Sequence, residues 1–189
     1  IFQRVEDQGL LELPAISVYY FCYRALTEPD EPAHFQHLKE LLVTEAGKFP
    51  ANEVSDLYLL AINFCIKRFN EGARSYLADQ FELYREGLKR GTFLNNGQLS
   101  RFTYRNVVSI GVVLQAFDWV ENFIHEFKEK LEPQHQGSMF SYNLARLEHQ
   151  RKNHGKALQL LQQSEYRDLL LNLAAKSLML KIYFETEEF

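Results

Sequence analysis

Residues 142–161 read YNLARLEHQRKNHGKALQLL, and this stretch decides the fold. Leu144 and Ala145 sit side by side in a run with helical spacing. His154-Gly155 interrupts the run, and Ala157 and Leu161 then restart it on a second helical face. Two helices joined by so short a turn must lie antiparallel. A small residue such as Ala145 lets two helix axes approach closely, while Leu144 and Leu161 fill the groove beside it.

The same grammar runs outward in both directions. Apolar residues at helical spacing predict helices at about 14–27, 31–46, 51–70, 73–90, 101–115, 117–131, 137–152, 155–164 and 166–185. Glu28-Pro29-Asp30-Glu31-Pro32, Phe49-Pro50, Glu71-Gly72, Gly91, Asn95-Asn96-Gly97 and Glu132-Pro133 fall between them. Almost nothing is left for strands. The breaks group the helices into pairs at about 14–46, 51–90, 101–131, 137–164 and 166–189, all within a single helical-repeat domain. Shifting Leu144-Ala145 back by about 34 residues reaches Ile110-Gly111, and shifting it forward reaches Leu178-Met179. Phe123 and Phe127 then correspond to Ala157 and Leu161. An earlier unit lies over Leu57, Leu60, Ala61, Phe64, Ala73 and Leu77, separated from the next by an insertion at about 88–103.

A unit of about 34 residues, with a large-then-small pair in its first helix and Ala in its second, resembles a tetratricopeptide repeat. The resemblance covers about residues 54–87 and 104–189. It implies an all-α fold, a right-handed α-solenoid of antiparallel helix pairs; a regular bundle is the competing arrangement. The departures are Leu57, Val107, Ser141 and Ala175 where the family has a large aromatic, Met179 at the small position, and Phe123 in place of Ala.

In that family the first helices line a concave groove that binds partner peptides. Carried over, the groove positions are Tyr58, Ile62, Arg105, Val112, Gln115, Tyr142, Arg146 and His149. Tyr and Arg combine large contact area with directed polar groups, which suits an interface anchor. The subfamily that clamps a C-terminal carboxylate is disfavoured: Asn143 and Arg146 are present, but Val108 and Val112 fill companion positions. The expected role is a scaffold for a protein or peptide partner.

Composition narrows the alternatives. Of 189 residues, 46% are hydrophobic and 14% aromatic, enough for a continuous aromatic-rich core. A net charge of −4 argues against general polyanion binding. A basic and aromatic stretch, Arg85, Lys89, Arg90, Phe93, Arg101, Phe102, Tyr104 and Arg105, keeps open a nucleic-acid-binding alternative, against the default of a solvated helix end. No run of apolar residues suits a membrane span, and no signal sequence opens the chain, so cytoplasm is the expected compartment. A start at Ile1 and an end at Glu187-Glu188-Phe189 suggest part of a longer polypeptide.

No nucleophile elbow, phosphate-cradling loop or two-His zinc helix is present, so neither enzyme activity nor a cofactor is expected. Cys22 and Cys65 read as buried free thiols. His34 and His37 make an incomplete ligand set, and His149 and His154 flank a turn without a partner pattern, so no metal is expected. The acidic clusters Glu28, Asp30, Glu31 and Glu185, Glu187, Glu188 lack the turn glycine and alternating oxygens of a calcium loop.

Overall fold

The computed structural model describes residues 9–186; Glu187 and Glu188 of the second acidic cluster lie outside the described residues. The chain divides into two compact units, Ile1–Phe93 and Leu94–Phe189. Unit 1 contains α1 (Pro14–Thr27), α2 (Pro32–Thr44), α3 (Ala51–Asn70) and α4 (Tyr76–Lys89). Unit 2 contains β1 (Leu94–Asn95), β2 (Gln98–Leu99), α5 (Arg101–Val113), α6 (Phe117–Glu126), α7 (Pro133–Gln150), α8 (His154–Gln162) and α9 (Leu169–Thr186).

The architecture is all-helical, and each expected helix is present. Proline marks beginnings rather than interruptions: Pro14, Pro32 and Pro133 occupy the first turn of α1, α2 and α7, where a missing N–H costs nothing. α7 therefore starts four residues before its expected position at 137. α6 ends at Glu126, and a 3₁₀ turn at Lys128–Lys130 fills the space to Leu131. Among the described residues, the strands lie in the expected insertion. Asn96 and Gly97, both at positive φ (50° and 79°), turn β1 back onto β2, pairing Leu94 with Leu99.

Helices pack on their neighbours in the chain: α1 with α2, α3 with α4, α5 with α6, α7 with α8. In unit 2 the first helices also touch in succession, α5 against α7 and α7 against α9. One turn geometry recurs. Gly72, Gln115 and Lys152 each take the left-handed conformation just after α3, α5 and α7. In each case this residue and the next donate back to the helix end, Lys152 to the His149 carbonyl and Asn153 to that of Glu148.

These turns give a second count between hairpins. Lys152 follows Gln115 by 37 residues (115 to 152), where the Leu-Ala pair gives 34. Counted from the turn, Ala145 is equivalent to Val108 and Cys65, each fully buried, and Ala157 is equivalent to fully buried Val120. This count differs by three residues from the one that pairs Ala145 with Gly111 and Ala157 with Phe123. The cause is local: α7 is 18 residues long and α5 only 13.

The cores are aromatic. In unit 1 Phe35 stacks on Phe64 at 4.9 Å between ring centres, with Tyr76 edge-on to both. In unit 2 Phe123 lies against Trp119, Phe127 and Tyr104, whose hydroxyl donates to the Ile124 carbonyl at 2.8 Å. Cys22 and Cys65 are buried and unpaired; burial pushes the Cys22 thiol up to about 12.

Candidate functional site

α1 and α3 are the first helices of the two hairpins in unit 1, and together they form an open apolar groove. Tyr19, Tyr23 and Leu26 project from α1 at helical spacing; Leu59, Asn63 and Ile66 repeat that spacing on α3. Leu26 and Leu59 remain 49% and 43% exposed, against a floor of Leu60 and buried Phe64. The groove has a volume of about 460 Å³ and a rim of Asp56, Asn63 and Lys67. At one end the Tyr19 hydroxyl donates to Glu53 at 2.6 Å, tying the two helices together; that bond and burial raise the phenol's pKa.

The expected groove residues of unit 1 lie one position away from this surface. Tyr58 is fully buried, its hydroxyl donating to the Leu42 carbonyl at 3.3 Å and its ring edge-on to Phe93. Ile62 is buried as well. Both are packing residues because α3 meets α2 on one side and α4 on another, which extends its buried arc past the expected boundary. A step of one residue turns a helix by about 100° and brings Leu59 and Asn63 outward instead.

In unit 2 the expected positions separate into three groups. Val108, Val112 and His149 are core residues, and Asn143 is fully buried with its amide donating to the Met139 carbonyl. Gln115 is exposed, but its backbone forms the left-handed turn after α5. Arg105, Tyr142 and Arg146 are brought together, but Tyr142 is buried, short of the exposed groove position expected of it. Arg146 is half-buried, packs over the Tyr142 ring at 5.9 Å and donates to the Ser109 hydroxyl at 2.7 Å. Among the described residues no carboxylate pairs with Arg146; burial lowers its pKa, and nearby Arg105, which is exposed, adds to the shift.

The basic stretch is mostly engaged. Lys89 pairs with Glu86, Arg90 donates to the Val43 carbonyl, and Tyr104 is fully buried. Arg101 bonds Asp168 at 3.1 Å within a polar cleft of about 640 Å³ that also holds His135. Phe102 and Arg105 stay exposed.

Of the histidines considered for metal, His34 bonds Glu28 at 3.1 Å and His37 bonds the Ala33 carbonyl of its own helix. His149 and His154 acquire a third neighbour that the sequence did not reveal. Glu185, from the end of α9, lies 2.9 Å from His149.

No family model matches the chain, and comparison with curated proteins and with solved structures likewise finds no match. Among the described residues no helix is long and apolar enough to cross a membrane.

Proposed function

We propose that this chain is a protein–protein interaction scaffold of the helical-repeat kind, whose first helices present the binding face and whose hairpins stack as a right-handed α-solenoid similar to tetratricopeptide repeats. The observation that carries the reading is the α1–α3 groove. It offers exposed Leu26 and Leu59 beside a floor of Leu60 and Phe64, with Asp56 and Lys67 at its rim. Apolar surface in a concavity with a polar rim is how partner helices and peptides are held. In unit 2 the cationic pair Arg105 and Arg146, beside Tyr142, suits an acidic side chain on a partner.

The recurrent turn after α3, α5 and α7 and the succession of α5, α7 and α9 support stacking of like units. The test is a quantitative comparison of proteins retained by the wild-type chain and by Leu26→Glu/Leu59→Glu. Both positions are half-exposed, so the variant should keep its fold and its thermal midpoint within a few degrees. Its specific partners should be lost. Retention of the same set at the same level would remove the groove as the binding face.

A further inference from the structure

Three side chains of metal-ligating chemistry converge where three helix ends of unit 2 meet. His149 lies in the last turn of α7, His154 is the first residue of α8, and Glu185 lies in the last turn of α9. One ligand atom from each falls within 4.8 Å of the other two, and among the described residues no other three-ligand grouping occurs. We propose that His149, His154 and Glu185 form a binding site for a divalent transition metal ion, with zinc the best match.

The chemistry of the donor set argues for it. Two imidazoles and one carboxylate are a borderline donor set that zinc favours, with a fourth position open to water. The His149 side chain is only 4% exposed, so its ring is held by the core rather than by solvent. Its Nε2 sits 2.9 Å from Oε2 of Glu185. The two rings lie 5.5 Å apart at 63°, edge toward face. His154 Nδ1 is buried and has no hydrogen-bond partner, which is a costly state for a ring nitrogen and one that a change of partner would relieve.

Lys181 approaches Oε1 at 3.8 Å, which leaves Oε2 to face the histidine. Zinc bonds of about 2.1 Å place ligands roughly 3.4 Å apart, so the His149–Glu185 pair at 2.9 Å opens slightly and the widest pair, at most 4.8 Å, closes by up to about 1.4 Å. On binding, the ion takes the place of the hydrogen bond between Nε2 and Oε2; a neutral His149 ring carries its proton on Nδ1, and a charged ring releases one proton to solvent. The bound ion ties α9 to the α7–α8 hairpin.

The experiment titrates the full 189-residue chain with Zn²⁺ by calorimetry and with Co²⁺ by visible absorption. Cys22 and Cys65 are buried in unit 1 and do not compete. The expected result is one saturable equivalent with a raised thermal midpoint, and His154→Ala and Glu185→Gln each weakening binding by about tenfold or more. Both substitutions fall outside the fully buried core, so the folded variants remain measurable, and His135→Ala should leave binding unchanged. Absence of saturable binding, or wild-type affinity in either His154→Ala or Glu185→Gln, overturns the assignment.

Discussion

Single residues set the energetics wherever a polar or bare-backbone group meets the core. Gly87 lies under the Phe93 ring, which also contacts Tyr58 and Tyr84; a methyl there meets the ring directly. Gly87→Ala should therefore destabilise the chain by about 1–3 kcal/mol despite the better helix propensity of Ala, as measured by chemical denaturation. Glu148 is 1% exposed and receives bonds from Lys156 and Asn153, both at 2.7 Å. Burial alone would raise its carboxyl, but these bonds and the charge of Arg151 outweigh that and hold it below the ordinary value. A carboxyl depressed in the folded state stabilises fully above its unfolded value of about 4.3 and loses that contribution as pH falls through the folded value. Glu148→Gln should cost about 1–3 kcal/mol near neutral pH and flatten the acid limb of the stability curve. An unchanged acid limb would assign the acid sensitivity to other carboxylates. Sequence reading failed at this scale for Tyr58 and Ile62: helical periodicity locates an apolar face but does not fix its edges, which depend on how many neighbours the helix meets.

At the level of elements, local chemistry was legible because it is written in adjacent residues. Capping prolines, the Asn96-Gly97 turn and the Gly72 and Gly91 stops all lie where the chain breaks. The two left-handed stops without glycine were not visible. Nothing in Gln115 or Lys152 announces a positive φ, so the sequence does not show where these two helices stop. Such backbone costs a side-chain-bearing residue about 1 kcal/mol. Gln115→Gly and Lys152→Gly should each stabilise the fold by about 0.5–1 kcal/mol, read as a raised denaturation midpoint. A lowered midpoint in both would contradict the turn geometry. α9 carries a second lesson. It buries Leu171, Ala175 and Ile182 yet leaves Leu169, Leu170, Leu173 and Leu180 62–82% exposed, a distribution that its leucines, spread round the helix, do not reveal. Leu173→Glu/Leu180→Glu should keep the thermal midpoint within a few degrees and reduce concentration-dependent association in sedimentation.

For the whole molecule, the helical class and the pairing of neighbouring helices followed from periodicity and break residues, which act locally. What joins distant segments did not. The Tyr19–Glu53 tie across the groove and the approach of Glu185 to His149 each depend on packing between helices more than 30 residues apart, and no local pattern encodes them. The aromatic cores of the two units take up Phe35, Phe64, Tyr76, Tyr104 and Phe123, and the exposed apolar surface that remains is the informative part of the molecule. The groove of α1 and α3 stands at the centre of the functional account. The most direct measurement is quantitative affinity purification of the wild-type chain beside Leu26→Glu/Leu59→Glu, with Lys130→Glu as a control on the exposed turn after α6. Partners should be held by the wild type and the control and lost from the double variant; a partner set equally retained by all three would remove the groove as the binding face.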